Sequence, residues 1–268
     1  MKHPPRSLTL LMTATIDPKD CPDTRFSVSE RQAMYLKAFR FYLRKIVLAW
    51  PHARLLFCEN SGADLAPFRA LIPESVADRV RLFSAPWQQF TPARGKTYNE
   101  VLLMEMALAD LPTDWQADLF FKVTGRYAIL NIRAFLRDCF KAGPALAFYC
   151  DQKDHTLWER LGRHWNGHWG ETRFFAFTFP FWQAHFQGKA GRDARVFEGF
   201  IYDLARTLYG REDCRFRFRQ EPFIRGLAGG NFVNLLGHHI PKQLEEPYMY
   251  LRAFGDTLLR RLFPRWWF

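Results

Sequence analysis

The property that does most to limit the fold is an alternation between residues 8 and 150. Short β-branched or apolar runs are each followed by a longer stretch of helical periodicity. Leu8 to Ile16 is the first run, closed by Asp17-Pro18. Ser27 with Glu30 three residues on is a capping-box pattern, opening a helix to about Trp50 that Pro51 stops. Arg54 to Cys58 predicts a second strand, Asp64 to Arg79 a helix, and Val80 to Phe83 a third strand. Thr97 to Leu111 predicts a helix, Asp118 to Val123 a fourth strand, Asn131 to Lys141 a helix, and Ala145 to Tyr149 a fifth strand. Strands separated by helices return in the same direction, so the pattern predicts an α/β domain with a mostly parallel central sheet.

In such a sheet, ligands collect beyond the carboxyl ends of the strands. Those ends are Thr13-Ala14-Thr15, Glu59-Asn60-Ser61, Thr124-Gly125-Arg126 and Cys150-Asp151. Each is a polar cluster behind an apolar strand. Polar residues also form ordinary loops there, and what argues for a site is that four clusters share one rim.

The remainder of the chain is less regular and is expected to be mainly helical. Residues 173 to 186 are nearly all aromatic, and Arg195 to Leu208 has helical spacing. Arg215 to Arg219 alternates Arg and Phe, which predicts a period-two strand with one basic face. Pro247 to Phe263 predicts an amphipathic helix whose apolar stripe is Leu251, Phe254, Leu258 and Leu262, with Arg252, Arg260 and Arg261 elsewhere on the wheel. No linker, repeat or low-complexity tract divides the 268 residues, which are read as one domain. Within it, residues 7–155 are expected to carry the ligand rim, and 156–268 to face a second ligand and a membrane.

The five cysteines are odd in number and form no CxxC pair, a pattern of reduced thiols and a cytoplasmic setting. Leu8 to Ile16 is interleaved with Thr9, Thr13 and Thr15, so it is read as a strand and not as a signal-peptide core. The net charge of +11 favours anionic partners of any kind: nucleotide phosphates, nucleic acid, acidic glycans or an anionic membrane surface. The tail Arg260 to Phe268 combines arginine with tryptophan, suited either to lipid headgroups at the inner face of a membrane or to packing on the domain.

The most specific segment is Gly95-Lys96-Thr97-Tyr98-Asn99-Glu100, followed after a helix by Lys122-Val123-Thr124-Gly125-Arg126-Tyr127. Together with Glu59-Asn60-Ser61, it resembles bacterial glycosyltransferases of polysaccharide and lipopolysaccharide biosynthesis over residues 8 to 150. The resemblance implies a GT-A-like, Rossmann-type domain. It further implies a nucleotide-sugar donor, a glycan or glycolipid acceptor, and donor contacts at Thr13, Thr15, Glu59, Asn60, Ser61, Lys96, Asn99, Glu100, Lys122, Thr124, Gly125 and Arg126.

The corresponding strand of such folds ends in Asp-x-Asp, which holds a divalent metal on the diphosphate. This sequence contains no Asp-x-Asp. Arg126 is therefore expected to neutralise the diphosphate by bidentate hydrogen bonding, aided by Lys96 or Lys122, with Gly125 admitting the ligand. Metal dependence stays open: the competing arrangement puts Mn or Mg on Asp151, or on Asp154 with a histidine. Glu100 is either a helix-start carboxylate or a site residue. Asp151, Asp154 and Glu198 are the candidate general bases. His164, His168, His185, His238 and His239 lack zinc-motif spacing, and Gly226 to Gly230 is not a phosphate loop. Two alternatives are carried forward: a nucleic-acid-binding protein using the Arg–Phe strand, and another transferase of nucleotide-activated donors.

Overall fold

The computed structural model describes residues 7–19, 25–90, 95–116, 119–154, 168–189, 197–227 and 239–263. Cys21, Asp118, His164, His238, Gly229, Gly230 and residues 264–268 of the tail lie outside the described residues, as do the side chains of Lys96 and Asp154.

The chain alternates as its sequence requires. β1 (Leu8–Ala14) leads to α1 (Val28–Tyr42), which continues as one π-helical stretch, Leu43–Val47, into β2 (Ala53–Glu59). The capping box at Ser27 and Glu30 is formed. Between β2 and β3 (Val80–Ser84) the expected single helix is two short pieces, α2 (Ala66–Arg69) and a 3-10 turn, Glu74–Arg79. Pro73 separates them in an extended conformation, since its ring fixes φ and removes a helical donor. Then come α3 (Gly95–Ala109), α4 (Thr113–Gln116), β4 (Leu119–Thr124), β5 (Ala128–Ile129) and α5 (Ile132–Lys141). The rest runs β6 (Phe148–Tyr149), β7 (Gln152–Asp154), β8 (His168–Gly170), β9 (Phe174–Thr178), α6 (Phe179–His185), α7 (Phe197–Thr207), β10 (Cys214–Arg215), β11 (Ile224–Arg225) and α8 (Lys242–Leu262).

The main sheet has seven strands in the order β10-β6-β9-β4-β1-β2-β3. All neighbours are parallel except β9, which lies antiparallel between β4 and β6. The aromatic run of the second half thus supplies a central strand. Its alternate residues feed both faces: Phe174 packs with Phe121 and Phe135, whereas Phe175 and Phe177 pack with Phe186 on the other side. Residues of α1 and α5 fill one core, and those of α3, α6 and α7 the other. The fifth strand is shorter than its sequence suggested, Phe148–Tyr149 alone. The Arg215–Arg219 strand is also corrected: pairing stops after Arg215. The period-two burial persists without a ladder, with Phe216 and Phe218 in the core and Arg215 and Arg219 exposed.

β1 is the switch point of this sheet. The chain passes from β1 outward through β2 and β3, then returns to place β4 on the opposite side of β1. Helices leaving adjacent strands in opposite directions open a crevice at their carboxyl ends, here between β1 and β4.

Candidate functional site

The crevice is built from residues that the register aligns. Thr13 of β1 is level with Cys58 of β2 and Thr124 of β4. Asn60 and Arg126, each just beyond its strand, therefore stand on one rim with Thr15. Thr15 Oγ1 donates to Asn60 Oδ1 at 2.7 Å.

The Glu59-Asn60-Ser61 triplet is buried, 0 to 3% exposed. Glu59 accepts the backbone N–H groups of Ile16 (3.0 Å), Ser61 (2.9 Å) and Ala63 (3.2 Å), and the Ser61 hydroxyl as well. Ser61 Oγ accepts the Asp17 N–H. These three side chains fasten the end of β2 to residues 15–17. Two further residues that sequence reasoning missed hold the same segment. Arg31 of α1 donates to the carbonyls of Thr15 and Ile16, and the Tyr35 hydroxyl accepts the Thr15 N–H at 3.2 Å. An arginine four residues before a tyrosine in a helix carries no signal of this role.

Gly125 answers a different need from the one its motif suggested. A Cβ there would meet the Thr13 carbonyl oxygen at 2.7 Å and the Tyr35 ring at 3.2 Å. The Gly125 N–H donates to that same carbonyl at 2.8 Å. The glycine lets β4 close on β1, a backbone-to-backbone approach.

A polar chain runs along the crevice floor. Thr13 Oγ1 donates to Glu100 Oε1 at 2.5 Å, and Lys122 Nζ pairs with the same oxygen at 2.8 Å. Lys122 also donates to the Thr172 carbonyl (2.5 Å) and Thr124 Oγ1 (3.1 Å). Thr172 Oγ1 in turn donates to Glu198 Oε1 at 3.0 Å. Glu100 lies beyond the first turn of α3, so it is no helix-start carboxylate. Burial would push its carboxyl up, but the Lys122 charge outweighs this and holds it below the usual carboxylate value. Lys122, fully buried in a central strand, is legible in sequence as a cation inside an apolar run; its three partners are not. Asn99 is buried on α3.

Arg126 differs from these satisfied groups. Its Nη2 donates to the Tyr127 hydroxyl at 3.2 Å and its guanidinium lies over the Tyr127 ring. Its Nε is buried with no hydrogen-bond partner, and among the described residues no carboxylate lies within 4 Å of the guanidinium. It lines a cavity of about 150 Å³ with Lys37, Arg225, Gly226 and Glu246.

Asp151, a candidate base from its strand-end position, lies in a buried ionic cluster. It is 0% exposed and forms two bonds with Arg260, at 2.8 and 2.6 Å. It also pairs with Lys153 at 2.8 Å and accepts the Phe218 N–H at 2.9 Å. Burial would raise its carboxyl, but Arg260 and Lys153 prevail and hold it well below the carboxylate range. Glu221 completes this buried cluster, touching both Lys153 and Arg260. No lone pair of Asp151 is left to face an acceptor or a metal. Glu198 on α7 is half-buried and, among the described residues, accepts the Thr172 hydroxyl.

Among the described residues no three His, Cys, Asp or Glu side chains come together as a metal site. Cys58, Cys139, Cys150 and Cys214 are buried and form no disulfide with one another. No helix among the described residues is long and apolar enough to cross a membrane. Phe216 and Phe218, the aromatics of the Arg–Phe run, offer no ring face for stacking a base.

No protein-family model matches the sequence, and no curated protein does. Among solved structures, the fold is similar to a galactosyltransferase, LgtC, determined in complex with donor and acceptor sugar analogs. The TM-score is 0.46 at 9% identity, over 78% of this chain and 72% of that one. It is similar to mouse xyloside xylosyltransferase 1, with TM-score 0.44 at 11% identity, over 79% and 85% of the two chains. WbbM, a bifunctional glycosyltransferase, gives 0.42 at 9% identity, over 80% of this chain and 39% of that one. With scores below 0.5 and identities this low, the likeness assigns neither an activity nor a site residue.

Proposed function

We propose that this chain is a glycosyltransferase that moves a sugar from a nucleotide-sugar donor to a hydroxyl of a glycan or glycolipid acceptor, of the lipopolysaccharide or capsule kind. The supporting observation is Arg126. A guanidinium at the switch point, with a buried Nε that has no acceptor and, among the described residues, no carboxylate in ion-pair range, is a cation held for an anionic ligand. The donor diphosphate supplies that ligand. As the bond between the sugar carbon and the phosphate oxygen breaks, the electron pair and its charge pass to the leaving nucleoside diphosphate, and Arg126 stabilises it without a metal. The acceptor oxygen forms the new bond to the sugar carbon and its proton passes to a base, a role we give to Glu198, the half-buried carboxylate at the end of the polar chain. Lys122 and Glu100, paired with each other and tied to Thr13, Thr124 and Thr172, set the field and the floor of the crevice.

Donor titration decides the reading. Wild type and Arg126→Ala are titrated with a panel of nucleotide sugars, with and without EDTA, and turnover is followed by release of the nucleoside diphosphate. Donor binding in the wild type is expected to survive EDTA. A charged bidentate contact contributes about 1.5–3 kcal/mol, so Arg126→Ala should lose affinity about tenfold to a hundredfold, with turnover falling alongside. Arg126→Lys should recover part of it, because the charge returns without the fork. Activity abolished by EDTA and restored by manganese, with Arg126→Ala nearly silent, would reverse the assignment.

A further inference from the structure

α8 is mounted in the opposite sense to an ordinary surface helix. Two of its charged residues are turned inward: Glu245 is fully buried and pairs with Arg25 at 2.5 Å, and Arg260 is buried on Asp151. Thr257, also buried, accepts the Glu221 N–H at 3.0 Å. These fastenings near both ends fix the rotation of the helix about its axis. The opposite face carries Leu244, Leu251, Phe254, Leu258 and Leu262, which are 48 to 73% exposed. Their spacing places all five within a quarter-turn of one another, together with Pro247 and Gly255 and with no charged residue. At 1.5 Å per residue the stripe is about 27 Å long. Hydrophobic burial within this chain would have turned it inward, and the ion pairs prevent that.

Beside the last turns of this helix lies a groove of about 680 Å³ between α5 and residues 217–220. Arg137, Lys141, Arg217, Arg219 and Arg261 line it, and the single carboxylate there is Asp138, 3.9 Å from Arg219. Arg137, Lys141 and Arg261 have no ion-pair partner among the described residues. Burial and the adjacent Arg260 charge pull the Arg217 pKa down, the mark of a site with excess positive charge. Arg261 belongs to both features, at the edge of the stripe and on the wall of the groove.

The geometry points to one docking surface, made of the outward stripe of α8 and the basic groove at its end, that seats the protein on an anionic lipid bilayer. An uncharged stripe lying along a helix suits the acyl boundary, and a cationic groove beside it suits phosphate headgroups. A protein partner or a second copy of this chain, itself at +11, would have to match five cations with acid that this chain's own groove lacks. The surface is independent of the activity proposed above.

Vesicle flotation of the whole chain tests this. Phosphatidylcholine vesicles are compared with phosphatidylcholine–phosphatidylglycerol vesicles, for wild type, Leu251→Ser/Leu258→Ser and Arg137→Gln/Arg219→Gln. All changed positions are exposed, and circular dichroism checks that each variant is folded. Wild type should bind the anionic vesicles and leave them as salt rises. The arginine variant should bind roughly 30-fold more weakly, about fivefold per lost cation. The leucine variant should lose about tenfold or more from reduced apolar burial. Equal binding by all three proteins, or no binding to anionic vesicles by the wild type, overturns the assignment. A wild-type dimer in light scattering that the leucine change makes monomeric, with vesicle binding unaltered, would give the face to a second copy instead.

Discussion

Replacing Asp151 by asparagine keeps the shape of the side chain and removes one charge from a fully buried cluster. Asp151 and Glu221 there face Lys153 and Arg260, two carboxylates against two cations. After the change, one carboxylate is left to balance both. Breaking a buried pair by removing one partner costs about 3–5 kcal/mol, because the remaining charge keeps its desolvation penalty and loses its attraction. For a chain of this size each kcal/mol moves Tm by about 2–4 °C, so Asp151→Asn should lower it by roughly 10 °C. The double change Asp151→Asn/Arg260→Met restores the balance and should recover most of the loss. Differential scanning calorimetry reads both. A single-variant loss under about 1 kcal/mol, or a double variant no better than the single, would refute the charge-balance reasoning. Turnover adds a second check. A structural Asp151 leaves the double variant active, whereas a proton-accepting Asp151 would leave it folded and dead.

Gly125→Ala sets a methyl against the Thr13 carbonyl oxygen at 2.7 Å, and should cost about 1–3 kcal/mol in urea unfolding; a neutral result would remove the close-approach argument. Tyr42 is fully buried, donating to the Tyr127 carbonyl at 2.9 Å and accepting the Ile129 N–H at 3.0 Å. Tyr42→Phe leaves both groups unsatisfied and should destabilise by about 1–3 kcal/mol, without altering donor affinity. Asp151, Glu100 and Glu171 all have carboxyls held below their usual values, so each contributes stability that is present above the unfolded-state pKa and lost as pH falls through the folded one. Burial holds the His185 pKa below its usual value, so a small loss is expected as pH falls through about 6.5, and the main drop in unfolding free energy below about pH 4; a rise below pH 4 would sink that reading.

Two features needed nothing beyond local sequence. The capping box at Ser27 and Glu30 satisfies helix donors within one turn, so it reads directly. The apolar runs ending at Ala14, Glu59 and Thr124 announce buried parallel strands, because a strand covered on both faces has no place for alternating polarity. From these the shared rim of Thr15, Asn60 and Arg126 followed. Where the chain left regular spacing, the sequence was silent. Nothing marks Phe174 to Thr178 as an antiparallel insertion between β4 and β6, since strand order is a long-range choice.

The division is sharpest at the charged residues. Composition and strand ends determined the α/β class, the rim, and the absence of an Asp-x-Asp pair beside Arg126. Only the tertiary structure decided which charges are spent and which are open. Asp151, Glu59 and Lys122 looked as available in sequence as Arg126 did. Folding surrounds the first three with partners at 2.5 to 3.2 Å and leaves the Arg126 Nε with none. α8 carries the same lesson. Its apolar stripe is plain in sequence, yet which side faces inward was decided by Arg260 and Glu245. Their partners Asp151 and Arg25 lie more than a hundred residues away, beyond the reach of any local pattern.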